Sequence, residues 1–374
     1  MGSEEVCYGF ESVQTIVDGH SDGIDETTEL GTTDWLAGTL IIDTSPLDLA
    51  SQSYGVAPIR VRANLPVGHP DRDLVMIPMG GIELGNGVPY EEALLLPSEE
   101  EALEIVTATT ATLYEQPSTS SPIAGTVPAG TIFIADGTTL AQDWLRVYFE
   151  YPGEYDTKVT AWINRSALQD VDTDLLPFAS NGNLTPMQKF YFNNTFGASP
   201  CPGTPAAALL MQAPKGVGTQ FIVNDAEIEI TSSVSLNIRE PNIMELRVLD
   251  GFAVLCPNTP NEIIVPEGFA IELPLTTPPD VQIADRLFHS SSSESCDWQN
   301  LRLMTNTELE DLSLLENLRT NVLNQPVTLP NIVCPSAVGP AQCVVTIDDA
   351  DTRDTVQELC DDGSISEQVC ELVR

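Results

Sequence analysis

Between Ala226 and Leu273 the chain is a succession of short apolar or alternating segments, each closed by turn residues. The segments are Ala226 to Ile230, Val234 to Ile238, Met244 to Leu249, Ala253 to Leu255, Ile263 to Val265 and Ala270 to Leu273. Asp250-Gly251 and Pro266-Glu267-Gly268 supply the turns. Segments this short and this rich in β-branched residues cannot make helices of useful length, so the pattern commits the region to antiparallel β-structure. Alternation in Met244 to Leu249 predicts one buried and one polar face. With 25 Gly and 28 Pro in 374 residues, the same punctuation extends through most of the chain. The reading is a mainly β multidomain protein with a helical C-terminal segment.

Four regions follow from the pattern. Residues 4–97 read as a β-rich N-terminal domain, in which Ile59 to Ala63 alternates strictly and Leu74 to Ile77 is continuously apolar. Ser98 to Glu104 is an acidic boundary. Residues 105–171 carry short strands with regular turn signals and predict a small β-barrel. After a polar linker, residues 186–276 form a β-meander or sandwich domain. Residues 281–374 change character after the serine run at 290–293: leucines at 309, 312, 314, 315, 318 and 323 predict an amphipathic helix capped by Thr307, and two further short helices are expected at 352–360 and 366–373.

Charge narrows the partners. Fifteen Lys and Arg against 55 Asp and Glu leave a net charge of −40, and the lysines are Lys158, Lys189 and Lys215 alone. Phosphate binding needs clustered basic residues, so nucleic acid is excluded as a partner, and an anionic membrane surface is disfavoured for the same reason. No apolar run has the length of a membrane span. Scattered acids read as a solvated, mutually repelling surface.

Eight cysteines are present: Cys7, Cys201, Cys256, Cys296, Cys334, Cys343, Cys360 and Cys370. None forms a Cys-x-x-Cys pair, and the histidines His20, His69 and His289 lie far from them in sequence, which argues against zinc. All eight are disulfide candidates, which favours an extracellular or cell-surface location. Met1-Gly2-Ser3 leads directly into Glu4-Glu5-Val6 without a basic or apolar stretch, so no signal peptide is read and the sequence is taken as a mature exported chain. Cys360 and Cys370 flank a Gly-containing turn and suit a link between two short helices; Cys7 and Cys201 suit a tie between domains.

Catalytic patterns are missing from the sequence. There is no Gly-x-Ser-x-Gly elbow and no phosphate-binding glycine loop, and the three histidines fall in polar contexts. No enzymatic activity and no cofactor is expected. The loop from Asp18 to Glu29 has acids at positions 1, 5 and 12 and glycine at position 6 of a calcium loop, but its flanks do not read as helices, so it is taken as an irregular acidic loop without metal. Tyr114, Trp144, Tyr148 and Trp162 fall close together in the barrel pattern; they suit either a groove for peptide or glycan or core packing.

Two resemblances add to this. Pro117, Ile123, Gly125, Gly130, Trp144, Val147, Trp162, Ile163 and Leu168 resemble the strand, turn and tryptophan pattern of bacterial Src-homology-3-type (SH3b) domains. Ala161 stands where those domains usually have glycine, and Glu150 to Thr157 lengthens the hairpin before the last strand. The pair Leu-Arg-Val-Leu-Asp-Gly-Phe-Ala-Val and Ile-Ile-Val-Pro-Glu-Gly-Phe-Ala-Ile, at 246–254 and 263–271, is similar to the repeated strand–turn–strand of FecR-type extracytoplasmic domains. The combination resembles modular secreted proteins of filamentous Chloroflexi-like bacteria. FecR signalling needs a membrane segment and a regulator partner that this sequence does not display, so only the domain type is carried over. The resemblances imply a non-catalytic binding or scaffolding protein of the cell envelope, whose partner is cell-wall glycan or peptide or another surface protein. A structural subunit of an extracellular assembly is the alternative, and a hydrolase with dispersed acids a third reading.

Overall fold

The computed structural model describes residues 5–7, 13–17, 33–35, 39–48, 50, 54–63, 67–68, 73–88, 103–114, 117–139, 141–150, 158–172, 176, 184–194, 207–215, 218–239, 242–257, 259–275, 296–318, 323–333 and 343–373. The loop from 18 to 29 and Cys201 and Cys334 lie outside them, as does the side chain of Cys7. Four β-sheets and three α-helices form among these residues, so the protein is mainly β and multidomain. The chain divides into two compact units, Met1–Val61 with Asp73–Gly87 and Met187–Arg374, and Arg62–Arg72 with Val88–Pro186.

The larger unit contains two big sheets. The nine-stranded sheet runs in the order Gln299–Leu303, Phe269–Pro274, Ile243–Asp250, Ser233–Arg239, Ala207–Gln212, Asp73–Gly80, Ile59–Arg62, Glu5–Cys7, Thr33–Trp35. The eight-stranded sheet runs Val13–Val17, Thr39–Thr44, Ile82–Asn86, Lys189–Asn194, Thr219–Val223, Ala226–Ile230, Phe252–Leu255, Ile263–Pro266. Strands from residues 4–97 therefore interleave with strands from 186–276: Asp73–Gly80 pairs with Ala207–Gln212, and Ile82–Asn86 with Lys189–Asn194.

The chain passes from one sheet to the other at corners. Gly80-Gly81, Thr231-Ser232, Asp250-Gly251 and Glu267-Gly268 each end a strand in one sheet and begin a strand in the other. The strand–turn–strand units read from the sequence are thus corners of a sandwich, where the turn joins two sheets instead of closing a hairpin. Gly251 (φ +75°) and Gly268 (φ +84°) occupy backbone conformations that side-chain-bearing residues rarely adopt, which fixes where the corners fall. The last three corners are neighbours in both sheets and are hydrogen-bonded along the rim: Glu267 N donates to Gly251 O (2.9 Å), and Thr231 N to Phe252 O (3.1 Å). Between the sheets, Asn194 accepts from Ile238 N (2.7 Å) and donates to Ile238 O (3.0 Å).

The nine-stranded sheet is the middle of three layers. Its strands Asp73–Gly80, Ala207–Gln212 and Ile243–Asp250 are buried on both faces, which explains why Leu74 to Ile77 is continuously apolar. One face meets the eight-stranded sheet. The other carries Val75, Ile77, Met79, Ala208, Leu210, Leu249 and Ala270, and on it pack Met304, Leu312, Leu315, Leu323 and Val327 of the C-terminal segment. That segment differs from the expected long helix. It forms an α-helix at Asn306–Asp311 and a 3-10 turn at Ser313–Asn317, and is irregular from 323 to 330. Thr305 is the cap instead of Thr307, because its hydroxyl and the Glu308 carboxylate satisfy each other's backbone N–H in a capping box. Beyond it, helices Ala350–Asp361 and Glu367–Cys370 form close to the expected places, joined by the disulfide Cys360–Cys370. A second disulfide, Cys256–Cys296, joins the end of an eight-sheet strand to the residues leading into the nine-sheet edge strand, and Cys343 is also disulfide-bonded.

The smaller unit is an antiparallel sheet in the order Ile123–Val127, Ala111–Tyr114, Lys158–Asn164, Trp144–Glu150, Ile132–Thr138, Leu103–Val106, with Val67–Gly68 added on Lys158–Asn164. The 3-10 turn Arg165–Ala167 brings the chain back so that Gln169 N donates to Val106 O (2.9 Å), curling the sheet on itself. Ile105, Leu113, Phe133, Leu145, Val147 and Ile163 are among its core residues.

Candidate functional site

Three groupings stand out from the ordinary packing. The first is in the smaller unit. Leu145 and Val147 point into the core, so Trp144 and Arg146 project from the opposite face of the sheet. Tyr114 and Trp162 are register partners on adjacent strands, and Tyr114 meets Trp144 edge-on with ring centroids 5.4 Å apart. Of the expected aromatic residues, Tyr114, Trp144 and Trp162 are brought together, as a packed cluster: Trp162 is 2% and Trp144 6% exposed. Tyr148 is on the same strand as Trp144, in register with Ile134, and its side chain lies outside the described residues. Beside the cluster, Arg146 donates to both oxygens of Asp136 (2.8 and 3.1 Å) in a buried bidentate pair. Among the described residues of this unit, the large hydrophobic side chains left exposed are aliphatic. Ile123, Ile132 and Ile134 are 66%, 60% and 41% exposed. The signal for the last two was in the sequence: Phe133 and Ala135 take the inward positions, so the intervening isoleucines must face out.

The second grouping corrects the expectation for Met244 to Leu249. Its polar positions do not face water: Glu245 is fully buried and Arg247 is 6% exposed. Glu245 accepts from Arg247 Nε (2.6 Å) and Arg302 Nη2 (2.8 Å) and sits 3.2 Å from Arg239 Nη1. Glu308, at the head of the helix Asn306–Asp311, accepts from Arg302 (2.6 Å) and Arg239 (2.7 Å). Burial pulls the Glu308 carboxyl upward, but the hydrogen bonds from Arg302 and from Thr305 N–H outweigh it and hold it at about 2. The polar face of the strand is covered by the C-terminal segment, and the charges of both are neutralised mutually. The cluster is a clamp between layers.

The third lies on the corner line. Glu267 is 7% exposed, and burial first, then the nearby Asp250, Asp348 and Asp349, push its carboxyl up to about 8, with Lys215 opposing. Ser232 Oγ donates to Asp250, and Gln325 Nε2 donates to Ser232 Oγ. Lys215 Nζ donates to Asp349 Oδ1 (2.8 Å), and Asp349 also caps the helix Ala350–Asp361 by accepting from Thr352 N (2.9 Å). The lysine hydrogen bond holds the Asp349 carboxyl down at about 2. Nothing in the sequence marks Glu267 beyond a turn, because its neighbours come from distant parts of the chain.

A milder carboxyl pair sits across the Thr39–Thr44 and Ile82–Asn86 strands, where Asp43 and Glu83 are register partners and burial raises both, with Asp43 adding to the rise at Glu83. Both folded-state values lie above the unfolded ones, so each ionisation opposes folding as pH rises. Glu83→Gln is expected to raise the urea midpoint at neutral pH and to leave it unchanged at pH well below the carboxylate range; an equal shift at both would remove the repulsion as its cause.

Among the described residues no group of His, Cys, Asp and Glu is placed to hold a metal ion, and no helix is long and apolar enough to cross a membrane. No protein-family model, curated protein or solved structure matches the chain.

Proposed function

We propose that the protein is an exported, non-catalytic binding or scaffolding protein of the bacterial cell envelope or extracellular space, and that its smaller unit is the binding module. The observation that carries this is the exposure of Ile132 and Ile134, with Ile123 also exposed, on a unit where Trp144 and Trp162 are packed. Ile132 and Ile134 stand two residues apart on one strand and so share a face of the sheet, where a partner would recover their burial. The Tyr114, Trp144 and Trp162 cluster forms the stiff ground beside it. The strand and turn pattern around Gly130 (φ +83°) supports an SH3b-type reading of the unit, and the corners at Gly251 and Gly268 support a FecR-like reading of the strand repeats. The disulfides support an oxidising compartment. The expected partner is cell-wall glycan or peptide, or another surface protein.

Ile132→Asp combined with Ile134→Asp is expected to abolish co-sedimentation with purified cell wall or capture of a surface-protein fraction, with little effect on folding because both positions are exposed. Retention of binding by this double variant would overturn the assignment of the face. Failure of the native protein to bind either preparation would overturn the binding reading itself.

A further inference from the structure

We propose that the disulfide-stapled C-terminal module, residues 343–373, is a pH-gated latch: it is docked on the corner line while Glu267 is protonated and is released as Glu267 ionises.

The geometry is that of an interface with a single key residue. The corner Pro266-Glu267-Gly268 is tucked beneath the module: a Cβ at Gly268 would stand 2.5 Å from Val345 Cγ2 and 3.1 Å from Val345 Cβ. Val345 is fully buried and belongs to the module's own closure, since its N–H donates to Leu372 O (2.8 Å) and it bridges to Val373. Helix Ala350–Asp361 is held to Glu367–Cys370 by Cys360–Cys370, which staples the two helices of the module together. Its polar attachments among the described residues include Lys215 to Asp349 and the pairing of Val344–Thr346 with Asn331–Val333, the strand on which it can hinge.

Around Glu267 the charges are unbalanced. Asp250 faces it from the end of Ile243–Asp250, and Asp348 and Asp349 from the module; Lys215 is the cation that opposes them. Lys215 is itself engaged by Asp349, with Asp250 and Asp351 also near it. An ionised Glu267 would be a further anion, nearly excluded from water, against a face of the module that is already acidic. Protonated, it is neutral and the module docks without that repulsion.

The sign follows from linkage. Undocking removes Asp348, Asp349 and the burial that the module supplies, while Asp250 stays in place, so Glu267 falls back towards its ordinary 4.5; docking holds it at about 8, and between the two the docked state carries the extra proton. Docking then weakens by up to about ten-fold per pH unit as pH rises towards about 8 and levels off above it. The Lys215–Asp349 pair does not share this dependence. Asp349 titrates near 2 and Lys215 is raised above its usual 10.5, both outside the interval.

Hydrogen–deuterium exchange of the full, disulfide-intact chain tests this, with rates corrected for the intrinsic pH dependence of amide exchange. Peptides covering 343–361 are compared with those covering the inner strand 207–212. The opening equilibrium of 343–361 is expected to rise by up to about ten-fold per pH unit from mildly acidic to mildly alkaline solution, while 207–212 stays protected. Glu267→Gln is expected to abolish the slope and keep the module closed. A native slope of zero, or the same slope in Glu267→Gln, overturns the proposal. Asp348→Asn changes an exposed residue and leaves the fold intact; it removes one of the charges that raise Glu267, so the slope should end at lower pH. An unchanged end point in Asp348→Asn would equally overturn it.

Discussion

Replacing Glu245 by glutamine is expected to lower the unfolding free energy by about 3–5 kcal/mol, read from urea unfolding of the oxidised protein. The side chain is fully buried and neutralises guanidinium groups from three places: Arg247 on its own strand, Arg239 on the neighbouring strand and Arg302 on the edge strand. Removing its charge leaves Arg247, itself 7% exposed at the side chain, with Glu308 at 3.6 Å as its remaining carboxylate. A desolvated cation that has lost its hydrogen-bonded anion is the costly outcome, and the shape-conserving amide isolates charge from packing. Glu308→Gln should act in the same direction by a smaller amount, because Arg239 and Arg302, its closest partners, are 39% and 32% exposed and water takes over part of the loss. Equal, small effects of both substitutions would show that the clamp contributes little beyond packing.

Loss of the Cys256–Cys296 disulfide ranks next. The bond spans 40 residues of sequence, and closing a loop of that size in the unfolded chain corresponds to about 4 kcal/mol. Cys256 is 1% exposed and ends the strand Phe252–Leu255 of the eight-stranded sheet, while Cys296 precedes the edge strand Gln299–Leu303 of the other. The paired change Cys256→Ser with Cys296→Ser is therefore expected to lower stability by about 4 kcal/mol and to loosen that edge strand first. Cys360–Cys370 closes a span of ten residues, and its removal should cost about 3 kcal/mol, confined to the C-terminal module. Intact mass after alkylation, with and without reductant, gives the redox state directly. All eight cysteines are expected to be protected until reductant is added; free thiols would overturn the exported location on which the proposed function rests.

Some of this architecture was legible in the amino-acid order because the forces concerned are local. Alternation, β-branched residues and glycines needing positive φ mark strands and corners within a few residues of themselves. Leu74 to Ile77 announces a strand buried on both faces because every position there is apolar. Cys360 and Cys370 are close enough in sequence for two short helices and a turn to bring them together. The convergence of Tyr114, Trp144 and Trp162 was equally visible, since neighbouring strands of a small sheet leave few other placements.

What the order of residues could not disclose depends on contacts between distant segments. Glu245 and Arg247 have the spacing of a solvated strand face, and nothing nearby says that Glu308 and Arg302 will cover and neutralise them. The leucines from 309 to 323 have a nearly helical period, yet the helix stops at Asp311, and Leu312 and Leu315 reach the sheet core from a cap and a 3-10 turn. Corner and hairpin look alike until the sheets are assembled, so the interleaving of strands from 4–97 with those from 186–276 was hidden as well. Alone, Glu267 is a turn residue with an ordinary carboxyl. Only the tertiary structure sets Asp250, Asp348 and Asp349 around it and closes Val345 over its corner, because electrostatic and desolvation energies are set by distance in space, and distance in space is what the folded chain decides.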